Sequence, residues 1–173
     1  GTGTSRRIYT LSFWAKPSVS SSASNERYMM DAGPYGNSDA LTFKSNRTLQ
    51  FWLNGTVNAR LITNRTFEDS SKFYHILVSV DTTQSTASDR VKIYVDGEQI
   101  TSFSTENYPS QNYDCNWGNA VSTNIGSSNS PNRYYNGYLT EVNYVDGQAL
   151  LPASFGQTDT STGRWIPSVV TPY

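Results

Sequence analysis

The sequence holds one cysteine, Cys115, and one histidine, His75. A single cysteine excludes an intrachain disulfide framework. The two residues lie far apart in the chain, which gives no Cys–His dyad, and Cys115 reads as a small buried filler. Charge is scarce as well, with 16% Asp, Glu, Lys and Arg and a formal net charge of −1. No basic block marks a nucleic-acid surface, and no acidic run marks a solvating tail. Long apolar runs are missing, so no helical membrane span is predicted, and no stretch has the pattern of a signal peptide. The opening GTGTS reads as a linker end or an expression remnant. No G-x-S-x-G nucleophile elbow occurs.

In place of charge the chain carries Ser, Thr, Asn, Gly and Tyr, with 12 Tyr and 4 Trp among 173 residues. That mixture disfavours helix and suits strands joined by turns, and the length suits one domain. Two-residue alternation dominates. In IYTLSFWAK, Tyr9, Leu11, Phe13 and Ala15 fall on one face, with Thr10, Ser12 and Trp14 opposite. In KFYHILVSVD, Tyr74, Ile76, Val78 and Val80 face one way and His75 faces the other with Leu77. Further strands are predicted at RYMMDAG, ALTFK, LQFWLNG, VNARLIT, RVKIYVDG, VSTNIG and GYLTEVNYVDG, with turns at SNRT and Asn54-Gly55. Leu139 and Val142 are three apart, so a β-bulge near Thr140 or Glu141 is needed to place both inward.

YVDG occurs twice, at Tyr94–Gly97 and Tyr144–Gly147. The first sits between alternating runs and predicts a hairpin over 91–103. The second runs into QALLPASF, where Pro152 can open a helical turn over 152–155 with Leu150, Leu151 and Phe155 on one side. The flanks do not align, so this is one turn chemistry used twice rather than a repeat. About ten short strands and almost no helix predict an all-β sandwich or barrel. Polar residues opposite each apolar face favour a two-sheet antiparallel β-sandwich with solvated outer surfaces. The tail GRWIPSVVTPY reads as extended.

YTLSFWAKPS, KFYHILVSVDTTQSTASDRVKIYVDGEQITSFST and YYNGYLTEVNYVDGQALLPASFGQTDTSTGRWIP resemble the concanavalin A-like, laminin-G-type jelly-roll domains. The likeness is nearest to versions in virion proteins of marine bacteriophages, where the Y-H-I strand, the VDG hairpin and the closing G-Y-L-x-E-V-N strand recur. The resemblance implies one jelly-roll domain over 1–173 on a tail fibre or appendage at the virion surface. It implies host-surface glycan and other virion chains as partners, a homo-oligomer, and neither nucleic acid nor membrane insertion. Such relatives carry a further strand at each end of this span. The chain is therefore expected to be a fragment of a longer protein, or to have its sheet edges completed by neighbouring chains.

Jelly-roll glycosidases of this kind carry paired acids as E-x-D-x-E or E-x-D-x-x-E, which puts the carboxylates on one strand face. Glu141 with Asp146, and Glu68 with Asp69, have odd separations and fail that test, so no enzyme is expected. His75 reads as a scaffold residue bonded to a neighbour. Laminin-G-type domains often hold Ca²⁺ at the sheet rim, and Asp31, Asn37 and Asp39 flank a turn that offers some of the oxygen ligands. Carbohydrate binding is the sharpest functional reading. The long loop between the two YVDG stretches supplies Tyr108, Tyr113, Asn116, Trp117, Asn132, Tyr134 and Tyr135, aromatic faces and amides that also suit protein contacts. NRYYNG stays open as glycan-facing, subunit-facing or structural. The sequons at Asn46, Asn54 and Asn64 read as turns between strands.

Overall fold

Alternation of side chains along each strand sorts the residues into one shared core and two outer faces. The computed structural model describes residues 5–18, 26–130 and 133–170. In chain order the strands are β1 (Ile8–Pro17), β2 (Arg27–Ala32), β3 (Asp39–Phe43), β4 (Thr48–Leu53), β5 (Ala59–Thr66), β6 (Tyr74–Asp81) and β7 (Val91–Val95). They continue with β8 (Glu98–Gln99), β9 (Phe103–Asn107), β10 (Thr123–Ile125), β11 (Gly137–Asp146), β12 (Gly156–Thr158) and β13 (Trp165–Pro167). A five-stranded sheet has the order β11-β1-β6-β7-β8, and a six-stranded sheet has the order β10-β2-β3-β4-β5-β9. All pairings are antiparallel.

Between these sheets lies one core. Tyr9, Leu11, Phe13 and Ala15 of β1 and Tyr74, Ile76, Val78 and Val80 of β6 meet Leu49, Phe51 and Leu53 of β4 across it. These are the inward positions that alternation predicts. The predicted bulge is present: Ser12 pairs with Asn143 and Trp14 with Thr140, so Phe13 faces two residues of β11. Glu141 takes a left-handed φ of 51° there, and Leu139 and Val142 both pack on the core.

Several expectations need correction. The hairpin after the first YVDG is short, because β8 ends at Gln99 and Phe103 crosses into the six-stranded sheet, pairing with Thr63. The two YVDG turns also differ. Asp96 and Gly97 both have positive φ, whereas at the second only Gly147 does. Asn64 lies inside β5 rather than in a turn, and donates through Nδ2 to Ser102 Oγ at 2.8 Å. Pro152 does open a helical turn, Pro152–Ser154, with Phe155 buried beyond it, but Leu151 points to solvent.

The outer face of the five-stranded sheet is not solvated. Ser12, Trp14, His75, Leu77, Tyr94 and Val145 are all buried there. The chain after β11 folds back over them as a strap. Thr10 Oγ1 donates to the Gln148 carbonyl at 2.7 Å and accepts the Leu150 N–H at 2.8 Å, which fixes where the strap begins. Leu150, Phe155 and Val170 cover Leu77, Tyr94 and Val145. Strands β12 and β13 pair as a ribbon, so the tail is structured rather than merely extended.

Trp165 is the strap's anchor. Its ring stacks on His75 at 6.0 Å between centroids, and its indole N–H donates to His75 Nδ1 at 3.0 Å. Two glycines make room for it: a Cβ on Gly97 or Gly156 would lie 2.7 or 2.6 Å from the indole. Trp165→Ala is expected to lower unfolding free energy by about 2 kcal/mol, below the usual cost for a fully buried Trp because this one is half-buried. Gly156→Ala should cost a similar amount by evicting the same ring. Urea unfolding of both variants checks this, and two wild-type curves would show that the strap adds no stability.

Candidate functional site

The outer face of the six-stranded sheet carries a groove, although Tyr28, Thr42, Gln50 and Trp52 on that face are themselves buried. On β4, Leu49, Phe51 and Leu53 enter the core, which turns Gln50 and Trp52 outward. Arg60 pairs with Trp52 across β4 and β5 and shares its face. Tyr28 of β2 meets Trp52 edge-on at 5.6 Å, with Ala40 between them in one small cluster. These residues floor a groove of about 280 Å³, walled by Glu26, Tyr35, Gly36 and Ser38, by Gly55 and Thr56, and by Ser128, Ser130 and Arg133. Tyr28 and Trp52 are each 4% exposed, so only an edge of each ring reaches the groove, whereas Tyr35 is 68% exposed at the rim.

A chain of hydrogen bonds crosses the floor. Arg60 Nε and Nη2 both donate to Gln50 Oε1, at 3.2 and 3.0 Å. Gln50 Nε2 donates to Glu26 Oε1 at 3.1 Å, and Tyr28 OH donates to Glu26 Oε2 at 3.4 Å. Arg133 Nη1 donates to the Tyr28 hydroxyl at 2.7 Å and lies over its ring. Every polar group thus holds its neighbour in a fixed rotamer, as a preorganised site requires. The rim is fixed too. Asn54, Gly55 and Thr56 have φ values of 52°, 60° and 78°, and a β-branched residue in that region is strained. A Cβ on Gly55 would lie 2.1 Å from the Gly36 carbonyl oxygen, so glycine lets the two rim turns touch.

The residues that the sequence nominated are dispersed. Trp117 is 2% exposed and packs between Tyr9 and Tyr144 in the core, where no sugar can stack on it. Tyr108, Tyr113 and Tyr135 pack against the same core, and Tyr135 faces Phe43. Tyr108 OH donates to Glu106 at 2.9 Å, with burial and then that bond raising it to about 12. Tyr113 OH accepts from Asn58 Nδ2 at 3.0 Å. Asn116 donates through its backbone N–H to Asp39 Oδ2 at 2.5 Å and through Nδ2 to the Asn37 carbonyl at 2.8 Å. Asn132 lies outside the described residues. Tyr134 alone of the described set is exposed, at 65%, and it follows Arg133 of the groove wall.

Residues 2–154 match the family described as the concanavalin A-like lectin/glucanases superfamily. The chain belongs to that superfamily. No curated protein sequence matches it. Among solved structures it is similar to the native heptameric SAP-like pentraxin of Limulus polyphemus, at 16% identity and a TM-score of 0.54, over 83% of this chain and 65% of that one. Trypanosoma rangeli sialidase is similar at 16% identity and a TM-score of 0.57, over 86% of this chain but 22% of the enzyme. The Ruminococcus gnavus IT-sialidase CBM40 bound to α2,6 sialyllactose is similar at 13% identity and a TM-score of 0.56, over 85% and 79%. At these identities the likeness is one of fold. The strap from Phe155 onward lies beyond the span that matches the superfamily.

For a superfamily rich in lectins and glucanases, metal and acid chemistry must be tested residue by residue. Asp31, Asn37 and Asp39 do not fit a Ca²⁺ ion. Asp31 pairs with Ala40 and Asp39 with Ala32, and since Ala32 lies in the core and Ala40 on the outer face, the two carboxylates point to opposite sides. N–H donors occupy Asp39, from Asn54 at 2.8 Å and from Asn116, where a cation would have to sit. Burial raises Asp39 to about 6 against the pull of those donors. Asp31 Oδ2 accepts the Asn129 N–H at 2.9 Å. Among the described residues no group of three or more His, Cys, Asp or Glu converges. Three of the four acids in the candidate pairs have other partners. Glu68 reaches Arg47 at 3.0 Å, Asp69 caps Ser71, and Asp146 accepts the Ser5 N–H.

Ser12 and His75 do meet, with Oγ and Nε2 2.9 Å apart and both residues buried. An indole N–H can only donate, so His75 Nδ1 accepts from Trp165 and the neutral ring carries its proton on Nε2. That proton is donated to Ser12 Oγ. A serine nucleophile needs the reverse, with Nε2 accepting from the hydroxyl. The pair is a structural clasp, as the scaffold reading of His75 expects. Cys115 is likewise a core filler: it is fully buried, and burial pushes its thiol well above the usual range.

Burial lowers His75 from 6.5 to about 4, against a smaller opposing pull from Asp96. Between those values the unfolded chain binds a proton that the folded chain refuses. The stabilisation is complete above pH 6.5 and fades as pH falls toward 4, by about 3 kcal/mol. Asp39, raised in the fold, changes in the opposite sense over much of this window, but it does so in any His75 variant too. The difference between wild-type and His75→Gln unfolding free energies is therefore expected to shrink by about 3 kcal/mol from pH 6.5 to 4. As the only histidine, it should also give one ¹⁵N signature of an Nε2–H ring, unchanged at pH 6. Titration near 6.5 would contradict the clasp.

Proposed function

We propose that this domain is a non-enzymatic carbohydrate-binding module, with the groove on the six-stranded sheet as its site. The observation that carries the reading is the groove's composition: the exposed ring of Tyr35 beside the edges of Tyr28 and Trp52, ringed by guanidinium, amide and hydroxyl groups. Sugars offer an apolar C–H face together with hydroxyls, and such a mixed, largely pre-formed groove suits both. The pentraxin and the sialyllactose-bound CBM40 lend support as neighbours of the same fold. In this proposal, which follows the sequence resemblance to marine bacteriophage virion proteins, the domain sits on a fibre or appendage at the virion surface with host-surface glycan as ligand. Tyr134 extends the contact surface at the groove's open edge.

A second reading is architectural assembly. Ile125 on β10 and Tyr138 on β11 are 58% and 67% exposed, and Tyr134 stands on the loop joining those strands. Both are edge strands, and exposed aromatic edges invite a neighbouring chain. In this reading neighbouring copies or other virion chains cover that edge, and the groove remains free.

A glycan array followed by calorimetry on the strongest hit tests the main reading. Tyr35→Ala is expected to weaken binding about tenfold while leaving stability within about 0.5 kcal/mol, because the residue is exposed. A blank array, with Tyr134 and Tyr138 protected from hydrogen exchange in intact particles, would transfer the assignment to assembly.

A further inference from the structure

The groove carries more positive than negative charge in its lining, with Asp31 of the same sheet face fully buried outside it. Its lining holds two guanidiniums, Arg60 and Arg133, and one carboxylate, Glu26. That carboxylate is already satisfied. It accepts from Gln50 and Tyr28 and has Lys44 and Arg133 each 3.9 Å away. Arg60 is different. It is half-buried, and among the described residues no carboxylate pairs with it. Both of its bonds go to one neutral oxygen, Gln50 Oε1. A partly desolvated cation held only by a neutral amide is costly unless an anion joins it.

The geometry says which side the anion takes. Nε and Nη2 form one edge of the guanidinium, and that edge is spent on Gln50. The Nη1–Nη2 edge remains, two parallel N–H donors that match the two oxygens of a carboxylate. Gln50 is itself held by Glu26, so the fork is aimed before a ligand arrives. Arg133 ends the same hydrogen-bonded chain from the other side through Tyr28. The chain as a whole carries a net charge of −1, so this positive groove is a local arrangement rather than a reflection of a basic protein.

We propose that the ligand is an acidic saccharide whose sugar carboxylate is bound by Arg60, with Arg133 supplying a second positive contact. The proposal rests on the carbohydrate-binding reading of the groove and narrows it to sugar acids. Neutral glycans of the same shape leave Arg60 without its counter-ion and bind more weakly.

Isothermal calorimetry with matched probes tests this. The acidic members are α2,6-sialyllactose and oligogalacturonate; the neutral members are lactose and methyl-esterified oligogalacturonate; a sulfated heparin oligosaccharide is the third arm. At least one acid is expected to bind about tenfold more tightly than its neutral partner, with the advantage shrinking as salt is raised. Arg60→Gln should erase that advantage and Arg60→Lys should keep part of it, both with wild-type melting temperatures. Arg164→Gln, on the exposed strap, should leave it intact. Equal binding of acid and neutral members overturns the acidic preference and leaves the carbohydrate-binding reading standing. Binding of the sulfated arm alone overturns the carboxylate. Silence in every arm removes both readings.

Discussion

Each strand presents its side chains alternately to two faces, and the whole molecule depends on that constraint. On β4 it sends Leu49, Phe51 and Leu53 into the core and leaves Gln50 and Trp52 outside. On β6 it sends Tyr74, Ile76, Val78 and Val80 inward and leaves His75 and Leu77 outside. A one-residue slip in either strand would exchange these sets and bury polar groups without partners. The bulge at Glu141 is the local repair that keeps β11 in step with β1. The core and both outer faces are therefore decided together.

The two outer faces meet opposite fates. On the five-stranded sheet the face is closed by the strap, through Trp165 on His75 and through Leu150, Phe155 and Val170 on Leu77 and Tyr94. Closure desolvates the only histidine and fixes its tautomer, which removes it from acid–base chemistry at neutral pH. On the six-stranded sheet Trp52 is buried and Arg60 half-buried, and the turns at Gly36 and Gly55 wall a groove beside them. The proposed binding site is put on this face because fixed polar groups, the exposed ring of Tyr35 and a guanidinium without a carboxylate partner coincide at the groove.

The acids and the lone Ser–His contact point the same way. Glu68, Asp69 and Asp146 are here committed to an ion pair, a turn and a backbone donor. The proposed reading is recognition at the groove, on a scaffold that the superfamily puts to many uses. Strained backbone at Thr56 and close turn contact at Gly55 are the kind of features that persist where a binding rim must hold its shape.

The sequence by itself determined the strands, their inward faces, the bulge near Glu141 and the turn opened by Pro152. These depend on neighbours one or two residues away, which the chain order records directly. It pointed toward sugar recognition but placed the site on a loop rich in Tyr, Trp and Asn. Trp117, Tyr108, Tyr113 and Tyr135 turned out to plug the core, because an aromatic ring reads the same in sequence whether it faces water or a hydrophobic interior. Only the end of that loop, at Ser128, Ser130 and Arg133, lines the groove. Tyr28, Trp52, Gln50 and Arg60 carried a faint signal, an aromatic and a cation on the polar side of alternating strands. Tertiary structure alone decided that β2 and the residues Ser128, Ser130 and Arg133 meet the β4–β5 hairpin at those outward positions, and that the tail covers one sheet while the other keeps a groove. Both outcomes come from pairing register and chain return, which are long-range contacts that no local pattern encodes.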